Sequence, residues 1–189
     1  MTLPARPLRM AALVQVLLAL LALLAGAGAL AQEPMAQEHE VKAAYLLKFP
    51  AFVEWPLAEP HEEPFAIALV GAERVAAELR LLTQGRRING RQVEVQEVLP
   101  GEPVPRAEMV FVGRSAAARL GSIAEKLAGE PVLLVGESQS SLEQGAVLNF
   151  VLSEGRVRFE VSLTAADARA LRISPRLLAL ATLVRPGRP

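Results

Sequence analysis

Apolar residues along this chain follow two rhythms. From Glu38 onward, Val41, Ala44, Tyr45, Phe49 and Phe52 recur at three- and four-residue steps, the spacing of one face of an α-helix. Further on come short unbroken apolar runs, Phe65–Val70, Met109–Val112 and Pro131–Val135, which predict strands buried on both faces. Helical periodicity returns between them. Glu73–Leu82 turns Val75, Ala76, Leu79 and Leu82 inward, and Ala116–Ala128 follows Ser115 as a candidate N-cap. Val93, Val95 and Val98 predict one more strand after the Asn89-Gly90 turn of RRINGR.

Taken in order, these segments read β-α-β-β-α-β, the alternation of a layered α/β domain with a mainly parallel sheet. The end of the chain changes character. Ala146–Leu152, a turn at Ser153–Gly155 and Arg156–Val161 predict an antiparallel hairpin with Val157, Phe159 and Val161 inward. Thr164 and Asp167 have capping-box spacing, and Ser174-Pro175 opens a last helix through Leu183 by the N-cap and N1 rule. The expected fold is an α/β layered sandwich, with a mixed sheet of five or six strands, helices on both faces and a C-terminal β-hairpin. Pro50 predicts a kink or restart in the first helix, and Pro56–Pro64 reads as a loop.

The N-terminus bears its own pattern: Arg6 and Arg9, an apolar run from Met10 to Ala25, small residues from Gly26, and the A-x-A site Ala29-Leu30-Ala31. That order is a secretory signal peptide cleaved after Ala31. An uncleaved anchor is the competing reading, since the run can be stretched to the roughly 20 residues a bilayer needs; Gly26, Gly28 and the alanines favour cleavage. The expected organisation is a signal peptide over 1–31, a polar tail over 32–37, one domain over 38–184 and a frayed tail over 185–189.

Losing Arg6 and Arg9 turns a formal charge of zero into about −2, so no strong field exists to gather nucleic acid or anionic lipid. The chain has no cysteine, so no disulfide supports an exported domain. Candidate chemistry is sparse. His39 and His61 lie apart from other plausible ligands, although His61 adjoins Glu62 and Glu63. Asp167 is the only aspartate, and no phosphate loop, nucleophile elbow or dinucleotide fingerprint occurs. The chain therefore reads as a non-enzyme that uses no metal or cofactor. Arg86, Arg87 and Arg91 form the densest basic cluster, readable as an anion site or as a solvated turn.

The segment Glu40–Pro56 concentrates the aromatics. The chain holds one Trp, one Tyr and six Phe, and Tyr45, Phe49, Phe52 and Trp55 all fall here. Its residues Val41, Lys42, Ala43, Ala44, Tyr45, Leu46, Phe49, Val53, Glu54, Trp55 and Pro56 resemble the opening signature of the YfiR-like family of periplasmic proteins. Near the other end, Arg158, Phe159 and Glu160, then Ala165 and Ala166, then Ile173, Ser174, Leu177, Leu178, Leu180 and Ala181 resemble its closing signature. The chain departs from the family at Ser162, where Asn is common, at Ala170, where Gly is common, and in lacking cysteines.

The resemblance implies a regulator that restrains an inner-membrane signalling protein by binding its periplasmic portion. In the familiar arrangement that protein is a diguanylate cyclase, which makes cyclic di-GMP. The alternative is a sensory module for a small ligand, held in a crevice at the strand ends that the aromatic stripe walls. Homo-oligomerisation stays open. For the contact residues we single out Phe49, Val53, Trp55 and Pro56 at the exit of the first helix. Lys42, Lys48 and Arg158 lie inside the motifs and are the cations available to answer a carboxylate. The same aromatic spacing also fits a plain core stripe.

Overall fold

The helical rhythm is realised as helix α1 (Glu33–Lys48), in a computed structural model that describes residues 33–56 and 63–187. The helix starts within the segment expected as a polar tail, with Pro34 in its first turn, where proline's missing donor does no harm. Pro50 decides where it stops. It opens a 3-10 turn over Phe49–Phe52, which is the restart expected there. The segment expected as a signal peptide, His61 and most of the proline-rich loop lie outside the described residues.

After β1 (Val53–Glu54) come β2 (Phe65–Val70), α2 (Glu73–Thr83), β3 (Arg87–Ile88), β4 (Arg91–Val98) and β5 (Met109–Val112). A 3-10 turn over Arg114–Arg119 leads into α3 (Leu120–Lys126), and β6 (Leu133–Gly136), β7 (Leu148–Ser153) and β8 (Arg156–Ser162) follow. The chain closes with α4 (Leu163–Asp167), β9 (Arg172–Ile173), α5 (Pro175–Leu178) and β10 (Leu183–Arg185). The main sheet runs β10-β8-β7-β6-β5-β2-β4-β3, and β1 pairs only with β9. Strands β4, β2, β5, β6 and β7 are parallel to their neighbours in this row, while β7–β8 is the expected antiparallel hairpin.

The class is α/β as expected, but the sheet has eight strands rather than five or six. Both additions are short edge strands. Asn89 and Gly90 take positive φ, 51° and 79°, as a two-residue hairpin turn requires, and fold Arg87–Ile88 back onto β4. At the other edge the last helix ends at Leu178 instead of Leu183. The Thr182 amide donates to the Phe159 carbonyl at 2.9 Å, and Leu183–Arg185 pairs with β8. Leu183, expected in the helix, and Arg185, expected to fray, thus help satisfy a sheet edge that would otherwise be open.

Alternation along the strands divides the interior in two. Phe65, Ile67, Leu69, Phe111, Val135, Phe150 and Phe159 face one core together with α1, α2 and the C-terminal helices. Ala66, Ala68, Val70, Val110, Val112 and Leu134 face a second core covered by Leu120 and Ile123 of α3. The expected cap Ser115 lies inside the 3-10 turn and donates to the Gly71 carbonyl at 2.8 Å, Gly113 being the N-cap. Nor do Thr164 and Asp167 form the cap of α4. β8 ends at Ser162, so the Ser162 hydroxyl caps it by accepting from the Ala165 amide at 3.2 Å, while Thr164 Oγ1 donates to the Pro186 carbonyl.

Beyond α4 the chain unwinds through a Schellman motif, with the Leu171 amide bonded to the Ala166 carbonyl and the Ala170 amide to the Asp167 carbonyl, each at 3.0 Å. Leu171 and Ala166 are both buried, supplying the apolar contact of the motif. The left-handed residue is Ala170, with φ 53°, at the position where glycine is common in the resembling family. Ala170→Gly is therefore expected to stabilise the protein by about 1 kcal/mol, raising Tm by about 2–4 °C in calorimetry. A lower Tm would mean that this turn is not strained.

Candidate functional site

The two signature segments meet. Val53 pairs with Ile173 and Glu54 with Arg172 in the β1–β9 ladder, and the Ser174 amide donates to the Phe52 carbonyl at 2.9 Å. Ser174 then caps α5, accepting from the Arg176 amide at 3.3 Å, with Pro175 at its first position. The ladder carries the chain outward to Trp55 and Pro56. Trp55 is half-buried, its ring edge-on to Phe65 at 5.6 Å. Its Nε1 is buried and has no hydrogen-bond partner among the described residues.

Two clefts adjoin this corner. One, of about 730 Å³, is lined by Glu54, Trp55, Pro56, Asp167, Leu171 and Arg172, with Ala170 beside them. The other, of about 230 Å³, lies between Trp55, Phe65, Arg91, Arg106 and Glu108. Arg91 sits 5.7 Å from the Phe65 ring and pairs with Glu108 at 2.5 Å. It also donates to the Glu63 and Pro64 carbonyls. The basic cluster is thus partly consumed by the fold, with Arg87 bonded to the Gly90 carbonyl and Arg86 exposed.

Phe49 and Val53, expected at an accessible corner, are buried instead, at 1% and 6% exposure. Phe49 stacks on Tyr45 and Phe150, each at 5.7 Å, and meets Phe159 edge-on at 5.3 Å. The stripe on α1 is therefore core, packed on the β7–β8 hairpin. Pro56 is exposed, and Trp55, like Phe52, is half-buried and retains contact with solvent.

The three motif cations do not converge. Lys42 is 3% exposed, held between Glu38, at 2.5 Å, and Glu137. Glu137 also accepts from the Arg114 amide at 2.5 Å. Lys48 is exposed at the end of α1, and Arg158 is exposed on β8, cross-strand from Val151. Lys42 belongs to the carboxyl ends of the parallel strands, where α/β sheets bind ligands when the strand order reverses. Here the order reverses between β2 and β5, and that crevice is closed. A Cβ on Gly113 would fall 2.2 Å from the Gly71 carbonyl oxygen, and the Gly113 amide bonds to the Val70 carbonyl at 2.9 Å. The aromatic stripe does not wall a crevice there. The open surface lies instead by Phe65, at the amino end of β2.

Among the described residues, no three acidic or histidine side chains are placed to hold a metal ion. No described helix is long and apolar enough to cross a membrane. Sequence reasoning missed Glu137 and Arg169. Glu137 meets Lys42 only through tertiary packing. Arg169, in the small-residue run AADARA, carries no local mark of its burial.

Known proteins bear on this geometry as follows. The family described as YfiR/HmsC-like matches residues 39–182. No curated protein matches the chain. Among solved structures, a conserved domain protein from Vibrio cholerae O1 biovar El Tor str. N16961 is similar at TM-score 0.50 and 14% identity. The match covers 78% of this chain and 60% of that one, so this chain spans less than two thirds of its relative's length. The ABC domain in complex with L-Trp from Streptococcus pneumonia is similar at TM-score 0.49 and 12% identity, over 80% of this chain and 60% of that one. The first likeness concerns the fold alone, and the second is too weak to carry an argument.

Proposed function

Because this chain belongs to the YfiR/HmsC-like family, whose members are in general periplasmic regulators, we propose that it is a non-catalytic regulator acting in the periplasm. In this reading residues 1–31 direct export and are removed. The mature domain binds the periplasmic sensor portion of an inner-membrane signalling protein and restrains it. The partner is a diguanylate cyclase, so the output is cyclic di-GMP and biofilm. A domain outside the membrane can restrain such a receptor only by binding one of its conformations better than the other.

The observation that carries this reading is the corner built from both signatures. The β1–β9 ladder fixes Trp55 and Pro56 beside an open cleft. Trp and Pro offer contact area at small entropic cost, which suits the centre of an interface. Phe49 and Val53 hold the corner from beneath, Lys42 acts within the fold, and Lys48 and Arg158 are exposed charges for the periphery of a contact.

The cleft itself favours a second reading. Its volume of about 730 Å³ falls in the range of about 300–1,000 Å³ typical of small-molecule sites, so a sensory module for a small ligand is its natural rival. One paired experiment on protein purified from the periplasm separates the two. Recovery of a cyclase from detergent-solubilised inner membranes, with no metabolite added, supports the regulator. A melting shift with one metabolite and no recoverable membrane partner supports the sensor and rejects the regulator.

A further inference from the structure

Arg169 is 5% exposed, yet no carboxylate pairs with it among the described residues. Its guanidinium makes one hydrogen bond there, a long one from Nη2 to the Ala124 carbonyl oxygen at 3.4 Å, and Nε is buried with no partner. Burial pushes its pKa below the ordinary value, but an arginine stays charged in a protein. A buried charge without a counter-ion is among the most costly arrangements an interior can hold. The fold nonetheless places it firmly, in the turn that follows α4, just before the Schellman residue Ala170.

The side chain borders an open cleft of about 720 Å³ between α3, the loop before β7, and α4. Ala124, Leu142, Ala165 and Ala168 give this cleft apolar walls. At its rim Arg185 approaches Glu143 at 3.4 Å, and Glu125 is exposed. Two rim carboxylates disfavour a multiply charged anion, and apolar walls favour an organic one.

We propose that this cleft binds a small organic carboxylate, whose oxygens accept from the terminal N–H groups of Arg169 while its apolar body lies against the alanines. Side-by-side donation to a carboxylate is the geometry that arginine offers and lysine does not. The site is separate from the Trp55 corner and goes beyond the regulator reading, whose failure would leave it standing.

The test uses periplasmic protein titrated with sodium benzoate and sodium acetate, with inorganic phosphate as the tetrahedral alternative and chloride at matched ionic strength. The readouts are Tm and the arginine Nε–H NMR resonance that is missing from Arg169→Lys and Arg169→Met. We expect benzoate to shift that resonance saturably and to raise Tm. Arg169→Lys should bind about tenfold to a hundredfold more weakly. Arg169→Met in chloride should melt no lower than the native protein, because it removes an unpaired buried charge. The proposal is overturned by an Nε–H resonance indifferent to carboxylates, by phosphate binding more tightly than benzoate, by an undiminished response in Arg169→Lys, or by an Arg169→Met protein that melts far lower.

Discussion

Phe49→Ala is expected to lower stability by about 3–5 kcal/mol and Tm by about 10 °C or more. Phe49 is 1% exposed and stands where α1 ends and the 3-10 turn begins. Its ring touches Tyr45, Phe150 and Phe159, so it joins the first helix to the hairpin at the far side of the sheet. Truncation removes the transfer energy of the ring and leaves a cavity that three rigid aromatics cannot fill by relaxing. Phe49→Leu keeps most of the volume and should cost about 1.5 kcal/mol or less. Calorimetry of the two variants checks this. An alanine variant melting within a degree or two of the native protein would mean that the stripe on α1 does not hold the domain together.

Lys42→Met should be destabilising on a similar scale. The side chain is 3% exposed between Glu38 and Glu137, whose own side chains are 16% and 10% exposed. A methionine fills the volume but leaves both carboxylates without their cation. Breaking a buried pair in this way costs about 3–5 kcal/mol, mostly as the penalty of the charge left behind. Glu38 has a route to water, so most of the loss falls on Glu137, which among the described residues retains only the Arg114 amide as a donor. The double variant Lys42→Met, Glu137→Gln removes that stranded charge and should recover much of the loss. Denaturant unfolding of the single and double variants tests the coupling. If the double variant is as unstable as the single one, Lys42 matters for packing rather than for charge.

Much of the fold was legible because the interior follows simple rules. Strands β2 and β5 coincide with the apolar runs Phe65–Val70 and Met109–Val112 because strands covered on both faces need no polar positions. The Glu154-Gly155 turn was legible too, since both residues take the positive φ that a two-residue hairpin needs. Strands β3 and β10 were not, because two or three residues form a strand only when a neighbour's edge is waiting for them. Caps were misread where several candidates stood close together: Ser162 and Thr164 differ only in which one the end of β8 leaves at the helix start. The corner was half legible. The motif marked Trp55, but the burial of Val53 depends on Ile173, far along the chain, and nothing local announces that pairing. Arg169 shows the limit most clearly. Whether a carboxylate meets a side chain is decided by what packs around it, and the sequence around Arg169 contains no sign of that.

The central claim is that this domain restrains a membrane cyclase through the Trp55 corner. Its most direct test is cellular cyclic di-GMP in a strain lacking the gene, complemented with the native chain or with Trp55→Ala, the variant's Tm and periplasmic level being measured alongside. Deletion should raise cyclic di-GMP and biofilm. The native chain should restore both, and Trp55→Ala should accumulate with a near-native Tm yet fail to restore them. Unchanged cyclic di-GMP on deletion, or full restoration by Trp55→Ala, would contradict the account.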